Sequence, residues 1–114
     1  MADYSSSGKT TLTPDVLLTI ARMAALGVEG VKRMAPVKGG VNSLLGRGNE
    51  GVRMVIEDSN VFVDLYLVLE SDLNIREVSR TIQQTVARAI AEMTGLEVGH
   101  VNIHIEDIDY KTEG

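Results

Sequence analysis

The sequence holds two histidines, His100 and His104, and imidazole could ligate a metal or act as an acid or base. Both lie on the same side of a predicted strand, where a rise of 3.3 Å per residue separates them by about 13 Å. One metal ion with bonds near 2 Å cannot join them. His104 and Glu106 could ligate a metal only with help from another element. A hydrated polar sheet face is the simpler interpretation, so we predict neither a metal site nor a cofactor.

A second motif that could do chemistry is Gly46-Arg47-Gly48-Asn49-Glu50-Gly51, which matches G-x-G-x-x-G. The dinucleotide fingerprint needs a strand before the glycines and a helix after them, so that the pyrophosphate meets the helix N-terminus. Here a strand follows, and no Gly-Lys-Ser/Thr sequence is present. We interpret the motif as part of a surface loop that could contact an anion or a partner.

Catalysis and nucleic-acid binding are both disfavoured by composition. The 114 residues include no Cys and no Ser or Asp in a recognisable nucleophile setting, so we predict that the chain is not an enzyme. Lys and Arg number 11 against 16 Asp and Glu, and the net charge of −5 does not suit a nucleic-acid backbone. No apolar run approaches the roughly 20 residues of a membrane span, and no signal peptide is visible. We therefore expect a chain without a transmembrane segment of its own.

Two surfaces have the composition of a partner-binding site. Arg76, Arg80 and Arg88 recur on one side of a predicted helix, and Arg47 lies in the glycine-rich loop. They could dock onto an acidic partner or anionic lipid headgroups, but a solvated helix surface is the interpretation that we favour for the helical arginines.

The second surface lies on a predicted strand. Phe62, Tyr66 and Val68 project away from the inferred core, beside Val55 of the preceding strand. Mixed polar and apolar side chains are typical of a self-association or partner surface, and also of an ordinary half-exposed sheet. We regard this face as the candidate partner surface.

These residues must be positioned by two helices. The first begins at Thr13-Pro14, where a hydroxyl caps the free N–H groups, and ends at Gly27 in a left-handed conformation. We expect its apolar face to contain Val16, Ile20, Met23 and Ala24. The second begins at Asn74 with Glu77 in a capping box and ends at Gly95.

Alternating apolar residues predict the strands. Val52–Glu57 and Val61–Leu69 form a hairpin across Asp58-Ser59-Asn60, and His100–Asp107 forms the last strand. A short leading strand over Gly8–Leu12 is a further possibility.

The predicted fold class is α+β with the order αββαβ, a three-stranded sheet and two helices packed on one face. We expect a single domain over residues 1–114, with an ordered core at 11–109, a long Gly-rich loop at 35–51, and loose ends at 1–8 and 110–114. The last strand lies beside the first, which makes the sheet antiparallel, or beside the second, which makes it mixed. The sequence does not choose, and we favour the split arrangement, with the first strand between the other two.

Several short segments together form a recognisable pattern over Leu12–Asp109. Its most specific part is the run Met93-Thr94-Gly95-Leu96-Glu97-Val98 followed by Val101-Asn102-Ile103. The other matching positions are Val16, Ile20, Ala21, Ala24, Val28-Glu29-Gly30-Val31, Gly51-Val52, Ile82-Gln83, Val86 and Ile90.

This pattern resembles the alkaline shock protein family of small bacterial proteins linked to general stress and cell-envelope homeostasis. The resemblance implies a non-enzymatic cytoplasmic protein, often held at the membrane by a separate anchoring partner and in some relatives associated with lipid metabolism. It assigns no catalytic residue to this chain, because the family has no established active site. We therefore expect an oligomerising or adaptor module. The alternative is a regulator of lipid or fatty-acid metabolism that binds an anionic ligand or lipid surface through its basic loop and second helix.

Overall fold

The computed structural model describes residues 13–36 and 51–110. The interior of the predicted loop (37–50), the Gly8–Leu12 strand, Arg47 and the predicted loose ends, except Tyr110, lie outside these residues. The described chain forms, in order, α1 (Pro14–Leu26), β1 (Val31–Met34), β2 (Val52–Glu57), β3 (Asn60–Glu70), α2 (Ile75–Thr94) and β4 (Glu97–Asp109).

Both helices begin where their capping residues predict. The Val16 N–H donates to Oγ1 of Thr13 over 3.3 Å, and the Glu77 N–H donates to Oδ1 of Asn74 over 3.1 Å. Gly95 ends α2 in the left-handed conformation with φ of 79°. Gly27 does not do the same for α1, since its φ is −79°. That prediction is wrong because the chain continues through a helical turn.

The buried face of α1 is also displaced from the predicted one. Leu17, Ala21 and Ala25 point into the core, whereas Val16 is exposed and Met23 is 63% exposed. Nearly every side chain of this helix is apolar, so its sequence contains two plausible apolar faces. Packing against α2 and the sheet selects the face with the small alanines.

The sheet has four strands rather than the predicted three. Its additional strand is β1, which pairs antiparallel with β3 through Val31 and Leu69. β1 has only four residues, and their exposure does not alternate, since two exposed residues follow one another. A segment this short and irregular does not predict a strand from the sequence. Gly30 directly precedes β1 with φ of 102°, and a Cβ atom there would lie 2.8 Å from Cδ1 of Leu73 and 3.5 Å from Cγ2 of Val78, so the chain enters the strand through a position that requires glycine.

β1 and β2 lie end to end along the same edge of β3. β2 pairs antiparallel with β3 from Val52 opposite Leu65 to Glu57 opposite Asn60, and β1 continues beyond Tyr66. At the junction, the Ala35 N–H donates to the Tyr66 carbonyl and the Tyr66 N–H donates to the Gly51 carbonyl, each over 2.8 Å. The chain therefore leaves this edge after Ala35 and rejoins it at Gly51.

β4 pairs with the other edge of β3, in parallel, over the whole length of β3. The sheet is therefore mixed, and our preference for the split arrangement is wrong. The physical reason lies in β3, whose five core-facing side chains are fully buried. A strand buried in this way is stabilised by neighbours on both edges, which satisfy its backbone N–H and C=O groups.

Both helices cover one face of the sheet, as predicted. The core joins Leu17, Ala21 and Ala25 of α1 and Ile82, Val86 and Ile90 of α2 to the odd-numbered side chains of β3. Alternate side chains of a strand point to opposite faces, so the even-numbered side chains of β3 lie on the other face. We call that second face the outer face.

Candidate partner-binding face

The outer face is a set of cross-strand rows centred on β3. Phe62 lies between Val55 of β2 and His100 of β4, and Asp64 lies between Arg53 and Asn102. Tyr66 and His104 form the next row, and Val68 lies between Arg33 and Asp107. The four residues that we predicted as a partner surface, Val55, Phe62, Tyr66 and Val68, thus share one face.

Asp64 links the polar part of this face. Its Oδ1 accepts a hydrogen bond from Nδ2 of Asn102 over 3.2 Å and lies 3.0 Å from Nε2 of His104. The carboxylate therefore fixes two side chains of β4 from the neighbouring strand.

The exposure predicted for Tyr66 and Val68 is wrong. Tyr66 is 7% exposed and Val68 is 4% exposed, and they form a small buried cluster with Ala35. The Tyr66 ring stacks on the His104 ring with centroids 4.5 Å apart and planes 9° apart. These two side chains are therefore buried beneath the outer face and offer little area to a partner protein.

Phe62 and Val55 remain accessible. Val55 is 48% exposed and Phe62 is half-buried, with its ring centroid 5.8 Å from that of His100. A Cβ atom added to Gly99 would lie 2.5 Å from Cε1 of Phe62. Gly99 therefore lets the Phe62 ring lie across β4, where it meets the exposed His100.

The predicted arginine sites lie elsewhere. Arg76, Arg80 and Arg88 are exposed on α2, on the opposite side of the sheet from the outer face. At 100° per residue they turn through about 120° of the helix surface, so they do not form one line. The structure does not bring them together with the outer face, and their role stays a prediction.

Sequence reasoning missed a groove between α2 and the free edge of β4. It encloses about 400 Å³ and is lined by Gln83, Gln84 and Ala87 on the helix and by residues 98–102 on the strand. Nε2 of Gln83 donates to the Val101 carbonyl over 2.9 Å across it. The only signal in the sequence is the pair of glutamines facing an uncharged strand segment, which does not indicate a groove until the strand order is known.

Residues 13–36 and 51–110, which the structure describes, contain no candidate metal site or membrane span. No group of three His, Cys, Asp or Glu side chains there could hold a metal ion. Within the same ranges, neither helix combines the length and apolarity needed to cross a bilayer.

The four-stranded mixed sheet defines a small α+β domain in which both described helices pack on one face of the sheet. A family model matches residues 2–110: the alkaline shock protein 23 family, described as having a cell envelope-related function. The chain belongs to this family, as its sequence pattern indicates.

Curated relatives match over most of both chains. The uncharacterized protein YqhY of Bacillus subtilis is 31% identical over 109 residues, covering 93% of this chain and 81% of its own. Two uncharacterized Streptococcus pyogenes proteins are also similar. Spy1535 is 32% identical, covering 89% of this chain and 79% of its own, and Spy1614 is 30% identical, covering 91% and 90%.

Solved structures share the fold at low identity. The MamM CTD with a Met-to-Leu substitution has a TM-score of 0.52 and 13% identity, covering 82% of this chain and 95% of its own. A MamM CTD double variant has a TM-score of 0.51 and 9% identity, covering 87% and 95%. This likeness concerns the fold alone.

Proposed function

We propose that this chain is a non-enzymatic adaptor or self-associating module of cell-envelope homeostasis and the stress response, recruited to the inner face of the membrane by a membrane-anchored protein. The family's cell envelope-related function supports the setting. The observation that carries the proposal is the outer face, over which no helix of the described chain packs.

The row Val55, Phe62 and His100 is the part of the outer face best suited to a protein partner. It combines an exposed aliphatic side chain, a half-buried aromatic ring and an exposed imidazole at one end of the sheet. Interfaces are enriched in aromatic residues at their centre and in polar residues at their rim. The two adjoining rows support it from below, since Asp64 contacts Asn102 and His104 and the Tyr66 ring stacks on His104.

The surroundings of the Asp64–His104 pair are consistent with the non-enzymatic role that we propose. Asp64 and His104 are paired as in a catalytic dyad, but activation of a nucleophile also needs a hydroxyl or thiol bonded to the imidazole. No serine, threonine or cysteine in the described part of the chain makes that bond. The pair therefore serves the sheet, holding β3 and β4 side chains together.

Self-association through the outer face is tested by Val55→Asp, with Ile56→Asp as the matched control. The two residues are neighbours on β2 with exposures of 48% and 42%, but Ile56 lies on the face that the helices cover. Size-exclusion chromatography with light scattering at rising concentration is the measurement. We expect Val55→Asp to lower the mass of the assembly, because a carboxylate at an apolar contact loses its hydration, and Ile56→Asp to retain it.

Circular dichroism confirms that both variants are folded before their masses are compared. A wild-type chain that stays monomeric at the highest concentration, or equal losses in both variants, contradicts self-association through this face.

A further inference from the structure

We propose that the groove between α2 and the free edge of β4 binds an extended polypeptide segment carrying lysine or arginine, which adds to the sheet as a further strand. This inference rests on the proposed adaptor function and names its partner class and docking surface. This groove lies at the edge of the sheet and shares only His100 with the row formed by Val55, Phe62 and His100.

The groove has the architecture used by domains that recognise peptides through strand addition. One wall is the exposed flank of a helix, formed by Gln83, Gln84 and Ala87, and the other is the edge of β4 from Val98 to Asn102. In such sites the backbone of the edge strand supplies hydrogen bonds and the helix supplies contacts to alternate side chains.

The backbone of β4 is oriented for this pairing. Within the described residues, β4 pairs only with β3, so its other edge is available. The Val101 carbonyl points away from β3, since it accepts the hydrogen bond of Gln83. Backbone groups of alternate residues point to the same edge, so Ile103 and Ile105 also present their N–H and C=O groups outward.

Gln83 already places a peptide-like group on this edge. A primary carboxamide has the same donor and acceptor atoms as a peptide bond, and its Nε2 is 2.9 Å from the Val101 carbonyl oxygen. The Gln83 side chain is exposed, so an incoming strand can displace it and donate its own N–H to Val101.

The charge of β4 selects a basic occupant. Residues 97–109 include Glu97, Glu106, Asp107 and Asp109 and no lysine or arginine. These acidic residues flank the groove along β4, and the residues that line the groove include no Asp, Glu, Lys or Arg. Opposite charges on neighbouring strands stabilise a sheet, and like charges destabilise it. The Lys32 side chain of β1 reaches Asp109 of β4 at 3.4 Å across β3, so a basic side chain from another strand already pairs with the acidic end of β4.

The test selects a phage-displayed library of random decapeptides on the immobilised full-length chain. We expect enriched peptides with lysine or arginine at alternate positions. Binding of a selected peptide should slow hydrogen exchange at the Val101, Ile103 and Ile105 amides, because these N–H groups would become donors to the added strand.

Gln83→Ala and Gln84→Ala form the matched pair for this peptide. Removal of the Gln83 carboxamide leaves the Val101 carbonyl open, so we expect affinity to rise by about threefold to tenfold. Gln84→Ala should change affinity by less than about twofold, because no hydrogen bond of Gln84 has to be displaced. Equal effects of the two substitutions would overturn the proposed pairing of the peptide with the Val101 carbonyl.

Three other results would overturn the inference: no enriched peptide, enrichment of acidic peptides, or protection confined to other strands. Protection of the same amides by rising protein concentration alone would show that a second copy occupies the groove. A second copy in the groove would also overturn the inference. The first three results leave the comparison of Val55→Asp with Ile56→Asp unaffected, so failure here is distinguishable from failure of the proposed function.

Discussion

Asp64 shows how a single charged residue organises the outer face. It lies at the centre of the central strand, where its carboxylate meets Asn102 and His104 of β4. The alternation of β3 predicts that Asp64 faces away from the core. It does not predict the two partners, because these depend on which strand lies beside β3.

Replacement of Asp64 tests this network at the residue scale. Asp64→Ala should lower the free energy of unfolding by about 1 to 2 kcal/mol, because two half-exposed hydrogen bonds are lost. Asn102→Ala is the control, and because it removes only one exposed bond, its cost should be about 0.5 kcal/mol. Urea denaturation followed by circular dichroism measures both. A larger loss from Asn102→Ala would contradict the central role of Asp64.

The junction of β1 and β2 is the main feature at the element scale. Two short strands with a long connection between them act as one edge of the sheet, because Ala35 and Gly51 both bond to Tyr66. Gly51 has φ of 76°, and a Cβ atom there would lie 2.6 Å from Cβ of Met34 and 3.0 Å from the Ala35 carbonyl oxygen. The close approach of the two strand ends therefore requires glycine.

Two glycine substitutions, one at the end of α2 and one at the junction, separate backbone strain from crowding. Gly95→Ala, with φ of 79° and open space around it, should cost about 1 kcal/mol from the left-handed backbone alone. Gly51→Ala carries the same strain and also displaces Met34 and Ala35, so we expect about 2 to 4 kcal/mol. Thermal and urea denaturation of both variants measure the difference. Similar losses would show that the junction is not tightly packed.

The whole molecule is organised around β3, which pairs with every other strand and carries the most buried side chains of the core. The two helices cover only one of its faces, and the other carries the rows described above. Damage to β3 should therefore affect the entire domain, while changes on the exposed side of a helix should not.

Leu67→Ala and Met23→Ala test this difference. Leu67 is fully buried, so its truncation should cost about 3 kcal/mol, a large part of the roughly 5 to 15 kcal/mol typical of a domain. Met23→Ala on exposed α1 surface should stay within about 0.5 kcal/mol. Equilibrium unfolding in urea gives both values. A cost for Met23→Ala comparable to that for Leu67→Ala would indicate that the outer side of α1 is covered in solution.

The candidate site was only partly predictable, because the face on which a side chain lies follows from the strand alone but its burial depends on distant segments. Phe62, Tyr66 and Val68 are assigned to one face by the two-residue period of a strand, which depends on the backbone alone. The burial of Tyr66 and Val68 depends on Ala35 and His104, which come from distant parts of the chain. The groove beside Gln83 likewise exists only because β4 forms the edge next to α2.

The sequence by itself determined what depends on neighbouring residues: the caps at Thr13 and Asn74, the left-handed stop at Gly95, and the hairpin turn at Asp58. These features arise from side-chain and backbone interactions within a few residues of each other. The tertiary structure alone decided that β1 is a strand, that β4 lies beside β3, and which side of α1 is buried. Each of these choices is a competition between alternative packings that satisfy the local pattern equally, and only contacts between distant segments distinguish them.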